Sequence, residues 1–313
     1  MKKVLVTGAG GTIGIPVISH LLANEDYEIT ALDLKSKRSI KRLKRYQNKI
    51  NIVYGDINED RLLKSLIRDH DYIIHLAGVV PPFADIKTNL SKIVDYDGTK
   101  NIIKMINEYN PKCFLIFAST TTVYGDIDED VDVKFESKVD TDDLFALAKL
   151  RSEEKIKNKL KNYTIFRFPA VLGDLKTEAP MYNIPINSKV EFITTGDAAH
   201  ALVKAVEFKT KLNRKTFNVT GGEECRTTFK EFLIKVMEIH GISFRYLITF
   251  LLVDNNFYSH HYSDNNVIEG TLKYQTDSLD DYYHRLNNKT KRITRFLQIL
   301  IAKPIIFFIR RKK

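Results

Sequence analysis

The segment that most constrains this chain is Lys2–Gly14, KKVLVTGAGGTIG. The run Lys3-Val-Leu-Val-Thr7 is short, apolar and rich in Val, which predicts a buried strand. Glycines follow at Gly8, Gly11 and Gly14, and the apolar spacing from Ile13 to Leu22 predicts a helix. A strand, a glycine turn and a helix N-terminus together form a cradle for phosphate. Glycine allows the tight turn and a close backbone approach, while the helix dipole and its unpaired N–H groups favour an anion. The spacing is Thr-Gly-x-x-Gly-x-x-Gly. A turn that merely needs glycine is the plainer alternative.

The rest of the first half alternates strand and helix. Strands are predicted at 27–33, 50–54, 71–77, 112–118 and 163–168, with helical segments from near Asn58, over 88–109 and over 144–160. Such alternation predicts an α/β fold with a doubly wound parallel sheet covered on both faces. From Gly173 the pattern loosens. Helices are expected at 197–208 and 227–241, and a strand returns near 216–219. The expected organisation is therefore a Rossmann domain over 1–172, a smaller, mainly substrate-binding domain over 173–287, and a basic tail over 288–313.

Asp33 ends the second strand, 19 residues beyond Gly14. That is near the spacing of a carboxylate that accepts ribose hydroxyls and repels a 2′-phosphate, which favours NAD over NADP. Lys35, Lys37 and Arg38 pull the other way, because cations there could hold such a phosphate; a solvated helix face is the other reading. Asp56 could bond an adenine amino group or cap the next helix. Small residues in His75-Leu-Ala-Gly78 leave room for a cofactor at the sheet edge. His75 itself could be a catalyst or a packed core histidine.

The formal charge of +10 is local. Residues 289–313 carry nine Lys or Arg and no acid, and Lys35–Lys49 carries eight with no acid. These patches explain the basic balance without a nucleic-acid-binding body, so no nucleic-acid partner is expected. Cys113 and Cys225 make no disulfide framework and lack zinc-ligand spacing, so no metal is expected. The first strand follows Met1 at once, leaving no room for a secretory leader, and a cytoplasmic protein is expected. In the tail, the apolar run Phe296–Ile309 is shorter than the ~20 residues a spanning helix needs, and Pro304 interrupts it. Flanking cations could meet anionic headgroups, which predicts a peripheral contact with the cytoplasmic face of a membrane. A C-terminal helix packed on the protein is the alternative.

Several motifs occur in one order. They are Thr7-Gly-Ala-Gly-Gly-Thr-Ile-Gly14, the acid Asp33, Gly55-Asp-Ile57, His75-Leu-Ala-Gly78, Ala118-Ser-Thr-Thr-Thr-Val-Tyr-Gly125 and Phe166-Arg-Phe-Pro169. Together they resemble the extended short-chain dehydrogenase/reductases, the NAD-dependent epimerase/dehydratase family that includes UDP-sugar 4-epimerases. The resemblance extends more weakly through Gly196-Asp-Ala-Ala-His200 and Phe217-Asn-Val-Thr-Gly-Gly222 to about Leu286. It implies NAD as cofactor, held by Gly8, Gly11, Thr12, Ile13, Gly14, Asp33, Asp56, Ile57, Leu76, Ala77, Gly78, Ser119, Lys149 and Pro169. It also implies a nucleotide-sugar substrate and a homodimer paired through segments 88–109 and 142–161.

In that family a Tyr phenolate takes a proton from a substrate hydroxyl while hydride passes to the nicotinamide. A Lys four residues on holds the nicotinamide ribose and lowers the Tyr pKa, and a Ser or Thr bonds the reacting oxygen. By motif, Thr120 takes the Ser/Thr place, with Ser119 beside it, and Lys149 takes the Lys place. Phe145 stands where the family has its Tyr, and it can be neither acid nor base. A second departure is Asp95, near a position where the family often has Asn. Tyr124, Asp126 and Asp128 lie close by in sequence. The expected activity is an epimerase/dehydratase-type oxidoreductase on a nucleotide sugar with an altered acid/base step; a non-catalytic NAD-binding sensor or scaffold is the alternative.

Overall fold

The computed structural model describes residues 1–79, 92–125, 133–173, 186–241 and 260–290. Expectations for Asp126, Asp128, the start of the 88–109 segment and the tail beyond residue 290 lie outside these residues.

The strands are β1 Lys2–Thr7, β2 Tyr27–Asp33, β3 Asn51–Tyr54, β4 Tyr72–His75, β5 Phe114–Thr120, β6 Tyr163–Phe168, β7 Ala170–Leu172, β8 Lys189–Thr194, β9 Lys215–Asn218 and β10 Arg226–Thr228. The helices are α1 Gly14–Leu22, α2 Lys37–Leu43, α3 Asp60–Arg68, α4 Thr99–Tyr109, α5 Leu144–Lys159, α6 Thr195–Glu207, α7 Lys209–Leu212, α8 Phe229–His240, α9 Asn265–Leu272 and α10 Leu279–Lys289. A π-helical turn, Lys92–Gly98, leads into α4.

Among the described residues, seven strands form a parallel sheet in the order β3-β2-β1-β4-β5-β6-β9. The order reverses between β1 and β4, and an open α/β sheet binds its ligand in the crevice outside the carboxyl ends at such a point. Side-chain alternation divides the core in two. Val4 and Val6 of β1 and Phe114 and Ile116 of β5 face a layer with Ile15, Ile18 and Leu21 of α1 and Ala198 and Leu202 of α6. Leu5, Leu115 and Phe117 face the opposite layer with Leu63, Ile102, Ile106 and Ile156 of α3, α4 and α5. Burial on both faces explains why these strands read as continuous apolar runs rather than alternating ones.

A second sheet, β10-β8-β7, was not foreseen from the sequence. β8 runs parallel to β7 and antiparallel to β10. Its Val190 and Phe192 pack with Phe229, Phe232 and Leu233 of α8 and with Leu279 and Tyr282 of α10. The strand near 216–219 is β9, which lies beside β6 in the large sheet. Two helices not expected from the sequence, α9 and α10, follow at Asn265–Leu272 and Leu279–Lys289. α8 and α10 each begin with a reciprocal capping box, Thr228 with Glu231 and Ser278 with Asp281, which satisfies N–H groups left unpaired at a helix start.

Candidate active site

The glycine turn joins β1 to α1 at the β1/β4 reversal. Gly8 has φ of 67°, a left-handed conformation that costs glycine little. The Gly11 N–H donates to the Gly8 carbonyl (2.9 Å) and closes the turn. A Cβ on Gly14 would lie 2.5 Å from the carbonyl oxygens of Gly8 and Ala9, so only glycine permits this start of α1. No side chain caps that helix, and its first turn holds no acid. Its leading N–H groups and its dipole are therefore left to favour an anion, as a pyrophosphate cradle requires. Thr12 and Ile13 lie within this turn.

Asp33 ends β2 beside the cradle and accepts the Gly10 N–H at 2.7 Å. Burial raises its pKa; the Gly10 and Leu34 N–H groups and nearby Arg38 and Arg42 oppose that rise. Arg42 of α2 donates to the Gly10 carbonyl at 2.9 Å. The basic Lys35–Lys49 segment thus turns at least one cation onto the cradle. Asp56 accepts from the Asn58 N–H (2.8 Å) and from its side-chain amide (3.2 Å), a local turn rather than a cap for α3. Ile57 is buried, and its carbonyl takes the Asn101 amide at 3.0 Å.

Behind the crevice, His75 is fully buried between two hydroxyls. Thr99 donates its proton to the Asp95 carbonyl (2.6 Å), so toward His75 Nε2 (3.0 Å) it must accept. Nε2 therefore carries the hydrogen, and Nδ1 accepts from Thr7 Oγ1 at 2.7 Å. Thr7 in turn accepts the Ala77 N–H at 3.3 Å, and the Leu76 N–H pairs with the Thr7 carbonyl at 3.1 Å. Burial, with a smaller effect from Lys149, lowers the His75 pKa to about 3. This histidine is a neutral core residue that fixes the turn 76–78, not a proton carrier.

α5 presents Phe145, Lys149 and Glu153 along one buried stripe at four-residue spacing. Asp143 caps its first turn through the Ala146 N–H (2.6 Å). Lys149 Nζ donates to the Ala118 carbonyl at 3.2 Å and forms a buried ion pair with Asp95 Oδ1 at 3.1 Å. It lies 5.0 Å from the Phe117 ring centre and 5.8 Å from that of Phe145. Phe145 itself is buried. A Cβ on Gly78 would fall 2.5 Å from Asp95 Oδ1 and 3.2 Å from Lys149 Nζ, so the turn after β4 rests directly on the pair.

The two hydroxyls at the end of β5 differ. Ser119 Oγ donates to Glu153 Oε1 at 2.6 Å and is held below the sheet edge. Thr120 Oγ1 accepts the Thr122 N–H at 3.2 Å and shares a hydrogen bond with the Thr122 hydroxyl at 2.9 Å. Glu153 also meets Arg167 of β6 in a two-pronged pair, at 2.9 and 2.7 Å. Burial alone would raise the Glu153 pKa, but the Arg167 fork outweighs it and holds the carboxyl below its usual value. Arg167 further donates to the Tyr124 hydroxyl (2.9 Å), which donates to Asn218 Oδ1 (2.7 Å). Tyr124 is thereby committed, and burial raises its pKa. It does not stand in for the missing phenol. Pro169 is buried and ends β6. The Glu153–Arg167 clip was missed from sequence, although an Arg inside an apolar strand calls for a buried acid.

The structure thus gathers Gly8–Gly14, Asp33 and residues 76–78 at the reversal point, with Ser119, Thr120 and Lys149 at the adjoining strand ends. The model of the NAD dependent epimerase/dehydratase family matches residues 4–220. UDP-N-acetyl-alpha-D-glucosaminuronate decarboxylase of Bacillus cytotoxicus is 31% identical over 132 residues, which is 40% of this chain and 38% of that protein. The match therefore spans well under half of that relative. UDP-glucuronic acid 4-epimerase from Bacillus cereus, solved in complex with NAD, superposes with a TM-score of 0.73 at 20% identity, covering 92% of this chain and all of that one. A Tyr-to-Phe mutant of that epimerase, in complex with NAD and UDP-4-deoxy-4-fluoro-glucuronic acid, has a TM-score of 0.72 at 19% identity over 91% of this chain and 98% of its own. The chain belongs to the NAD dependent epimerase/dehydratase family, whose cofactor is NAD.

Proposed function

We propose that this chain holds NAD across the β1/β4 crevice, engages a nucleotide-activated sugar above the ends of β5 and β6, and performs the family's oxidoreductase chemistry slowly. The carrying observation is that the glycine cradle, Asp33, Thr120 and Lys149 converge on one sheet edge while position 145 offers only a ring. Bound NAD supplies the hydride acceptor. The N–H groups of the 8–14 turn receive the pyrophosphate, and Asp33 accepts the adenosine ribose hydroxyls. Lys149 donates to the second ribose, and Thr120 orients the reacting oxygen. No phenol at 145 takes the hydroxyl proton, so it leaves to water; loss of a positioned acid/base group costs about 10²–10⁴-fold in rate. The Tyr-to-Phe mutant of the B. cereus epimerase, held with NAD and a substrate analogue, supports binding by such a site.

Calorimetry tests the first half: NAD binds the wild type, and Gly11→Asp, which sets a carboxylate in the cradle, abolishes binding while thermal melting shows a folded protein. A wild type that does not bind NAD overturns the proposal. Turnover of UDP- and dTDP-sugars tests the second half. A second reading, favoured by Phe145 itself, is a non-catalytic NAD-binding sensor or scaffold. It gains if NAD binds and no sugar turns over.

Three further assignments belong to this reading. The tail 289–313 places the protein on the cytoplasmic face of a membrane. α4 and α5, which expose Tyr109 and Leu144, provide a homodimer face. β8 and β10 with α8 and α10 form the core of a substrate-binding unit made mainly of 173–287, to which β7, Ala170–Leu172, adds a strand from the preceding segment.

A further inference from the structure

The Asp95–Lys149 pair has a chemical consequence that bears on Phe145. A buried ammonium needs an anion close by, because an unpaired buried charge is very costly. Under the functional proposal, on which this inference rests, the family's phenolate would be that anion. Here the Asp95 carboxylate takes the place. Asp95 is fully buried in the π-helical turn before α4. One carboxylate oxygen faces Lys149 Nζ at 3.1 Å, and the other accepts the Val79 N–H at 3.2 Å. Its carbonyl takes the hydroxyls of Thr99 (2.6 Å) and Ser152 (2.8 Å), so the backbone beneath the carboxylate is held from two helices. The charge is positioned, not incidental.

The field at position 145 follows from this. A lone cation one helical turn away stabilises a phenolate strongly in a buried site. A cation already paired with a carboxylate at 3.1 Å presents mostly a dipole, and its effect falls off much faster with distance. His75, beneath the pair, is neutral and adds no compensating charge.

We propose that Asp95 and Phe145 are a matched substitution. Asp95 supplies Lys149 with the anion that a phenolate would supply, and so removes the cationic field that would activate a hydroxyl at position 145. Asp95 acts through Lys149 and is a positioning residue. Restoring the phenol alone does not restore an acid/base group.

The test compares Phe145→Tyr with Phe145→Tyr/Asp95→Asn. Ionisation of the introduced phenol is followed by NMR on tyrosine-labelled protein, its signal assigned by absence from the wild type. In the single variant the phenol titrates at or above its ordinary value of about 10. In the double variant it titrates at least about one pH unit lower, a roughly tenfold gain in phenolate at neutral pH. Equal titration in the two variants overturns the proposal. If the double variant fails to fold, the single variant still decides, because a phenol well below its ordinary range beside an intact Asp95 is incompatible with the proposal. The titration needs no cofactor, so its outcome is separate from NAD binding, measured by calorimetry on the same proteins. A sugar-turnover gain in the double variant that exceeds that of Phe145→Tyr by about tenfold or more is expected where NAD binds; the same gain in Phe145→Tyr alone argues against the role of Asp95.

Discussion

His75 shows how a side chain that suggests catalysis in the sequence can serve position in the fold. Its two nitrogens are spent on Thr7 and Thr99, and burial keeps the ring neutral down to about pH 3. The unfolded chain binds a proton at this ring near pH 6.5, the folded chain only near 3. In that window the unfolded state holds more protons, so stability rises with pH. The contribution is complete above pH 6.5 and is lost as pH falls toward 3. His75→Gln keeps an acceptor and a donor but cannot titrate. Denaturant unfolding at a series of pH values should show a flatter acid limb for the variant, by up to about 1.4 kcal/mol per pH unit. Parallel limbs would show that His75 carries no such linkage. Position 145 teaches the complementary lesson. The departures at Phe145 and Asp95 were both visible from the sequence, but the ion pair that links Asp95 to Lys149 was not, because these two are 54 residues apart and meet only through the fold.

At the scale of elements, the large parallel sheet was legible because its strands are buried on both faces and write unbroken apolar runs. Its Ala, Lys and Glu content made α5 readable, and the glycine spacing identified the β1–α1 turn. The small sheet was hidden for a physical reason: β7 and β10 are three residues each, too short to carry a period. α9 and α10 were hidden by composition, since their buried faces are narrow and their Asn, Asp and Tyr content suggests loop. The Glu153–Arg167 clip sits at the junction of readable elements, tying α5 to β6 and holding Ser119. Arg167→Met leaves Glu153 buried without its fork. Breaking one side of a buried pair costs about 3–5 kcal/mol. The denaturation midpoint should fall accordingly, and Glu153→Gln/Arg167→Met should recover part of the loss. A single variant as stable as wild type would mean that the clip contributes little.

For the whole molecule, the question is where the protein sits while it holds its ligand. No described helix is long and apolar enough to cross a membrane. The excess charge is concentrated in residues 289–313, where eight of nine cations flank an apolar run that the ninth, Lys303, interrupts together with Pro304. Each cation near an anionic surface contributes on the order of 1 kcal/mol, and salt screens that attraction over about 10 Å at 0.1 M. Buried apolar side chains add a part that salt does not remove. Binding should therefore be strong on vesicles containing phosphatidylserine at low salt, weaker but measurable at high salt, and weak on neutral vesicles throughout. Removing residues 289–313 should abolish co-sedimentation with vesicles, while NAD calorimetry on the shortened protein should match that of the full chain, because the cradle lies in the first sheet. A full chain that stays in the supernatant with anionic vesicles at low salt would reject the membrane assignment and favour a tail packed on the protein.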